Sequence, residues 1–154
     1  MLLTEFIDAP AIRTNLAVRN KRALIQSIAK IASHRLGRDA GEIVEAIAER
    51  ERLGSTGFGG GVAIPHGKID GLDKVYGLVV HLEEPVDYDA IDKMPVDIVF
   101  MLLSSPDAGA EHLRALAAIS RVVRHGSAID QMRGARSKEA LEALLLSADD
   151  RISA

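Results

Sequence analysis

Histidine is the side chain in this sequence best suited to act as nucleophile, base or ligand near neutral pH. There are five: His34, His66, His81, His112 and His125. Cysteine is absent, which removes thiolate catalysis, disulfides and the usual structural zinc sets. No H-E-x-x-H or similar close ligand pair is present, so no metal site and no cofactor is expected. His34 and His125 fall at the ends of helical stretches, where an imidazole interacts with terminal carbonyls. His81 lies mid-strand on the side shared by Val75, Gly77 and Val79, as a packed sheet histidine does.

His66 stands in a different context. The stretch GSTGFGGGVAIPHGK, residues 54–68, sets it at the end of a short extended run, and Gly67 leaves steric room beside it. Strand ends of open α/β sheets are where ligands bind. His112 falls in the first turn of a later helix, one turn before Leu116, pointing inward or along the rim. A neutral imidazole can form a covalent intermediate that divides a transfer into two steps. For a phosphoryl group the protein's share is mostly positioning and charge stabilisation.

The glycines of the same stretch raise a nucleotide-binding reading, and it fails. A dinucleotide fingerprint needs G-x-G-x-x-G between a strand and a helix. Here Gly57 and Gly59 are followed by Val62 where the third glycine belongs, and the loop runs from helix to strand. A P-loop needs G-K-[ST], but Gly67-Lys68 is followed by Ile69. What remains is a loop of Gly54, Ser55, Thr56, Gly57, Gly59, Gly60 and Gly61 whose exposed N–H groups are expected to form an anion-binding concavity.

The elements that must position these residues follow from periodicity. A helix is predicted from Asn20 to Leu36, with Leu24, Ile25, Ile28, Ala29, Ile31 and Ala32 at helical spacing and Gly37 as the stop. A second runs from Asp39 as N-cap to Arg50 or Arg52, burying Ile43, Ile47 and Ala46. Strands are predicted at Val62–Ile64, at Val75–Leu82 with Glu83-Glu84-Pro85 ending it, and near residues 11–18. The run Val96–Leu103 is apolar throughout, as suits a strand covered on both faces. After Pro106-Asp107 a helix extends to Arg124, its inner stripe read as Leu113, Leu116, Ala117, Ser120 and Val123. A short helix at Ser127–Arg133 and a final one capped by Ser137, with Leu141, Leu144 and Leu145 inward, complete an α/β layered pattern.

At 154 residues and 47% hydrophobic content, one domain with an ordinary core is expected. A net charge of −3 gives no electrostatic case for nucleic acid. The N-terminus MLLTEFIDAP does not read as a signal peptide, and no apolar run is long enough to span a bilayer. A cytoplasmic protein is the expectation.

Three segments carry a resemblance that covers about residues 5–148: RERLGSTGFGGGVAIPHGK (50–68), EEPVDYDAIDKMPVDIVFMLL (83–103) and EHLRALAAI (111–119). Together they resemble the enzyme IIA (EIIA) domains of the bacterial phosphoenolpyruvate-dependent phosphotransferase system, in the fructose/mannitol-type superfamily. L-G-S-T-G-x-G-x-G-V-A-I-P-H-G-K is most similar to the nitrogen-regulatory branch. The resemblance implies a single α/β domain over 1–154, with a mixed, mainly five-stranded sheet flanked by helices on both faces. It implies that His66 is phosphorylated, that His112 and Arg50 stabilise the phosphoryl group, and that the glycine loop shapes the pocket and partner surface. The implied donor is a small phosphohistidine carrier protein, HPr-like, charged from phosphoenolpyruvate through enzyme I. Gly60 replaces an Asn common in relatives, and Phe58 an Ile, without removing a proposed catalytic group. The alternatives are a sugar-specific EIIA that passes phosphate to an EIIB partner, and a regulatory binding module independent of phosphorylation.

Overall fold

Helix ends fall where the sequence supplies caps. The computed structural model describes residues 1–153, with side chains to Arg151. After two short 3-10 turns come strand β1 (Arg13–Leu16) and helices α1 (Lys21–Leu36) and α2 (Ala40–Glu51). Strands β2 (Gly57–Gly59), β3 (Val62–Ala63), β4 (His66–Lys68), β5 (Tyr76–Val86) and β6 (Val96–Ser104) follow. Helices α3 (Gly109–Val123), α4 (Gly126–Arg133) and α5 (Lys138–Ser153) complete the chain. Asn20 caps α1 by accepting the Ala23 N–H at 2.8 Å, and Gly37, at φ +66°, closes it in the left-handed region. Asp39 accepts the Glu42 N–H at 3.1 Å to open α2, and Ser137 the Ala140 N–H at 3.1 Å before α5.

The strands form one mixed sheet in the order β1-β5-β6-β3-β2. β3 and β4 lie in succession along one edge of β6, with Val62 beside Ile98 and His66 beside Leu102. The six strands thus fill five positions, as expected. β6 divides the core by alternation. Ile98, Phe100 and Leu102 pack with Ile119, Val122, Leu141 and Leu145 of α3 and α5. Val99, Met101 and Leu103 pack with Leu24, Ile28, Ile43 and Ile47 of α1 and α2. Helices therefore cover both faces, which is why this strand shows no polar alternation.

Three sequence expectations are corrected. β5 does not stop at Pro85 but reaches Val86, with the register irregular between His81 and Val86, where a residue lacking an N–H is tolerated. The buried stripe of α3 is His112, Ala115, Ala118, Ile119, Val122 and Val123, whereas Leu113 is 65% exposed and Ala117 also faces solvent. The expected stripe, which starts from Leu113, lies one residue out of phase with the buried one. His66 does not trail a strand end: the chain leaves β3 at Ala63 and re-enters the sheet at His66 as β4.

Candidate active site

Gly67 lets α2 lie directly on β4, since a Cβ there would stand 2.8 Å from the Ala46 carbonyl carbon. Arg50 is one helical turn beyond Ala46 on the same face, so this contact carries its guanidinium toward His66. Arg50 is half-buried, and its Nη1 donates to the Gly54 carbonyl at 2.8 Å. From the other face of the sheet, the first turn of α3 brings in His112, which is buried. The rings of His66 and His112 lie 5.3 Å apart between centroids, with their planes at 57°. The structure thus gathers three residues separated by up to 62 positions in sequence (112 − 50).

Hydrogen bonds assign the ring nitrogens. His66 Nδ1 is 2.8 Å from the Ile64 carbonyl, which can only accept. Nδ1 therefore carries the proton, and Nε2 keeps its lone pair. His112 Nδ1 is 2.6 Å from the Ser104 hydroxyl. Burial, and then the Arg50 charge, hold the His66 pKa below its ordinary value, against the opposing effects of the Ile64 bond and Glu51. Burial, then His66, then Lys68 push His112 down to about 4. Near neutral pH the pair is two uncharged imidazoles with Arg50 and Lys68 as nearby cations. One ring offers a lone pair, and the setting favours an anion.

The glycine loop has a different part from the one expected. β2 and β3 form a hairpin that turns through Gly59, Gly60 and Gly61 at φ +113°, +64° and +84°. Several of its donors are engaged within the protein. Gly57 N–H donates to Ser55 Oγ at 3.1 Å, Gly60 N–H to Asp92 at 2.9 Å and Thr56 N–H to Glu51 at 3.1 Å. The Ser55 hydroxyl donates to the Tyr88 carbonyl at 3.2 Å, and that of Thr56 to Glu51. Ser55, Thr56, Gly57 and Gly60 are therefore not free phosphate donors. Carboxylates, a backbone carbonyl and a hydroxyl within the fold already hold them.

Gly59 and Gly61 shape the turn. Arg133 of α4 grips it, with Nε on both Asp97 oxygens at 3.0 and 2.9 Å and Nη2 on the Gly60 carbonyl at 2.6 Å. Lys21 closes the other side, 2.8 Å from Glu51 and 4.3 Å above the Tyr88 ring. Sequence reasoning missed Glu51, Tyr88, Asp92, Arg133 and Ser104, and met Lys68 only as a failed P-loop lysine. Glu51 had one signal, its place beside Arg50 at the mouth of the loop.

A family model described as "Phosphoenolpyruvate-dependent sugar phosphotransferase system, EIIA 2" matches residues 5–148. The chain belongs to this family. This EIIA is 39% identical over 145 residues to the "Nitrogen regulatory protein" of Bradyrhizobium diazoefficiens, covering 94% of this chain and 95% of the relative. It is 34% identical over 113 residues to the "PTS system fructose-specific EIIA component" of Haloferax volcanii, covering 70% and 73%. The crystal structure of the nitrogen regulatory protein IIA-Ntr from Neisseria meningitidis superposes with a TM-score of 0.86 at 31% identity, covering 92% of this chain and 97% of that one. The domain is thus a phosphoryl carrier of the EIIA type with nitrogen regulatory proteins among its relatives. Among its described residues, no group of three or more His, Asp or Glu side chains could hold a metal ion, and no helix is long and apolar enough to cross a membrane.

Proposed function

We propose that His66 accepts a phosphoryl group on Nε2 from an HPr-like phosphohistidine carrier protein, and that its phosphorylation state regulates partner proteins of a nitrogen-regulatory kind. The observation that carries this reading is the Ile64 hydrogen bond, which leaves Nε2 unprotonated beside Arg50 and His112. As the donor's P–N bond breaks, its electron pair stays with the leaving imidazole, and the His66 Nε2 lone pair forms the new P–N bond. Arg50 then neutralises the phosphoryl oxygens, and the His112 ring hydrogen-bonds them. Exposed apolar side chains from segments flanking the site (Leu53, Phe58, Ile91, Met94 and Leu113) suit the face a carrier protein would cover.

The test supplies phosphoenolpyruvate, enzyme I and the carrier protein, and looks for acid-labile, base-stable label on this chain. Wild type should be labelled, and 15N NMR should place phosphorus on Nε2. Normal labelling of His66→Ala would overturn the assignment. The fructose-specific relative favours one second reading, a sugar EIIA that hands phosphate to an EIIB. Relay to a cognate EIIB and its sugar would support that reading instead.

A further inference from the structure

We propose that Ser104 is a positioning residue that fixes which nitrogen of His112 carries the proton, so that this ring presents an Nε2–H donor to a phosphoryl group on His66. The inference rests on the reading of His66 and His112 given above.

Ser104 is the last residue of β6, fully buried, with its hydroxyl 2.6 Å from His112 Nδ1. Among the described residues the hydroxyl has no second hydrogen-bond partner. If Nδ1 bore the proton and donated it to Oγ, the hydroxyl's own proton would be buried with nothing to accept it. If the hydroxyl donates to Nδ1, both groups are satisfied. A neutral imidazole has one ring N–H, so the proton then sits on Nε2, on the other side of the ring. The two histidines are thus set in complementary forms: a carbonyl fixes His66 with Nε2 bare, and a hydroxyl fixes His112 with Nε2 protonated.

Backbone pairing makes the hydroxyl a rigid reference. Ser104 is paired with Lys68 across β4 and β6, and its carbonyl accepts the Ile69 N–H at 2.8 Å. The strand pair that holds His66 therefore also holds the group that sets His112. A merely space-filling serine would leave the His112 tautomer untouched when removed.

The experiment compares wild type, Ser104→Ala, His112→Ala and the double variant. It reads 15N ring shifts of histidine-labelled protein and the single-turnover rate of phosphoryl uptake from the phosphorylated carrier protein. Wild type should show His112 with Nδ1 unprotonated. Ser104→Ala should lose that pattern and slow uptake about tenfold, the worth of one ordinary hydrogen bond, with His66 still labelled. In the His112→Ala background, adding Ser104→Ala should change the rate by less than twofold. An unchanged His112 pattern in Ser104→Ala, or an equal slowing with and without His112, would overturn the role of Ser104 while leaving His66 as acceptor. Label on His66→Ala would instead overturn the reading beneath it.

Discussion

Lowering the pH from 7 to 5 should cost this fold about 2 kcal/mol through His112. In the unfolded chain that histidine titrates at its ordinary 6.5, whereas in the fold it does so at about 4, held down by burial first, then by His66 and Lys68. Above 6.5 neither state binds the proton. Below 6.5 the unfolded chain binds it and the folded protein does not, so stability falls as pH falls, by about 1.36 kcal/mol per pH unit. By pH 5 the loss is about 2 kcal/mol and by pH 4 about 3 kcal/mol, levelling off near about 3.4 kcal/mol below pH 4, where the folded protein binds the proton as well. Against a total stability of about 5–15 kcal/mol, the loss at pH 5 corresponds to roughly 4–8 °C in Tm. Urea denaturation of wild type and His112→Gln at intervals from pH 7.5 to 4.5 measures it, since carboxylate effects cancel in the difference. His66→Ala should raise the His112 pKa in an NMR titration, because it removes the second cause of the depression. Parallel stability curves for wild type and His112→Gln, or a His112 titrating near 6.5, would refute the reasoning.

Gly61→Ala should destabilise by about 3 kcal/mol: its φ is +84°, and the new Cβ would lie 2.3 Å from Arg133 Nη2, breaking the grip on Asp97 and Gly60. In an Arg133→Ala background the same change should cost only about 1 kcal/mol, a coupling that a double-mutant denaturation cycle reads directly. Gly67→Ala should cost about 1–3 kcal/mol, because the Cβ meets the Ala46 backbone at 2.8 Å. It should also slow phosphoryl uptake by moving Arg50 away from His66, read in the same labelling assay. Glu51→Gln should cost about 2 kcal/mol in urea denaturation, leaving Lys21 unpaired and setting an amide against the Thr56 donors.

The parts that local rules govern could be read from the sequence. Asn20, Gly37 and Asp39 bound α1 and α2 because a side-chain cap or a left-handed residue acts within four positions of itself. Val96–Leu103 is legible as a strand covered on both faces because such burial leaves no polar alternation, and it makes up all but the last residue of β6. What sequence could not show depends on distant partners. The glycine loop reads as an open nest until Asp92, Glu51 and Arg133 arrive to occupy its donors and its turn. The phase of α3 is not legible because a leucine reads as core and a histidine as rim, whereas Leu113 faces solvent and His112 takes the buried position. His66 is legible as the candidate because it alone among the five histidines follows a short extended run with a glycine beside it, in the P-H-G context. Ser104, an ordinary strand serine eight residues before His112, carried no such mark.

Two neutral histidines suit a carrier better than a neutral and a charged one. On the proposed reading the acceptor must keep a lone pair, which the Ile64 carbonyl ensures by accepting the hydrogen bond of Nδ1–H and so leaving Nε2 bare. The second ring must donate a hydrogen bond without holding the phosphoryl group so strongly that it cannot be passed on. A charged donor makes hydrogen bonds roughly twice as strong as a neutral one. Burial and the neighbouring His66 and Lys68 keep His112 uncharged well below neutral pH, so on the proposed reading it contributes direction rather than a fixed positive charge. Formal charge is left to Arg50 and Lys68, and Lys68 is exposed, where solvent weakens its hold. An arrangement with a protonated His112 would stabilise the phosphorylated state further and slow its release, which serves a store of phosphate better than a relay.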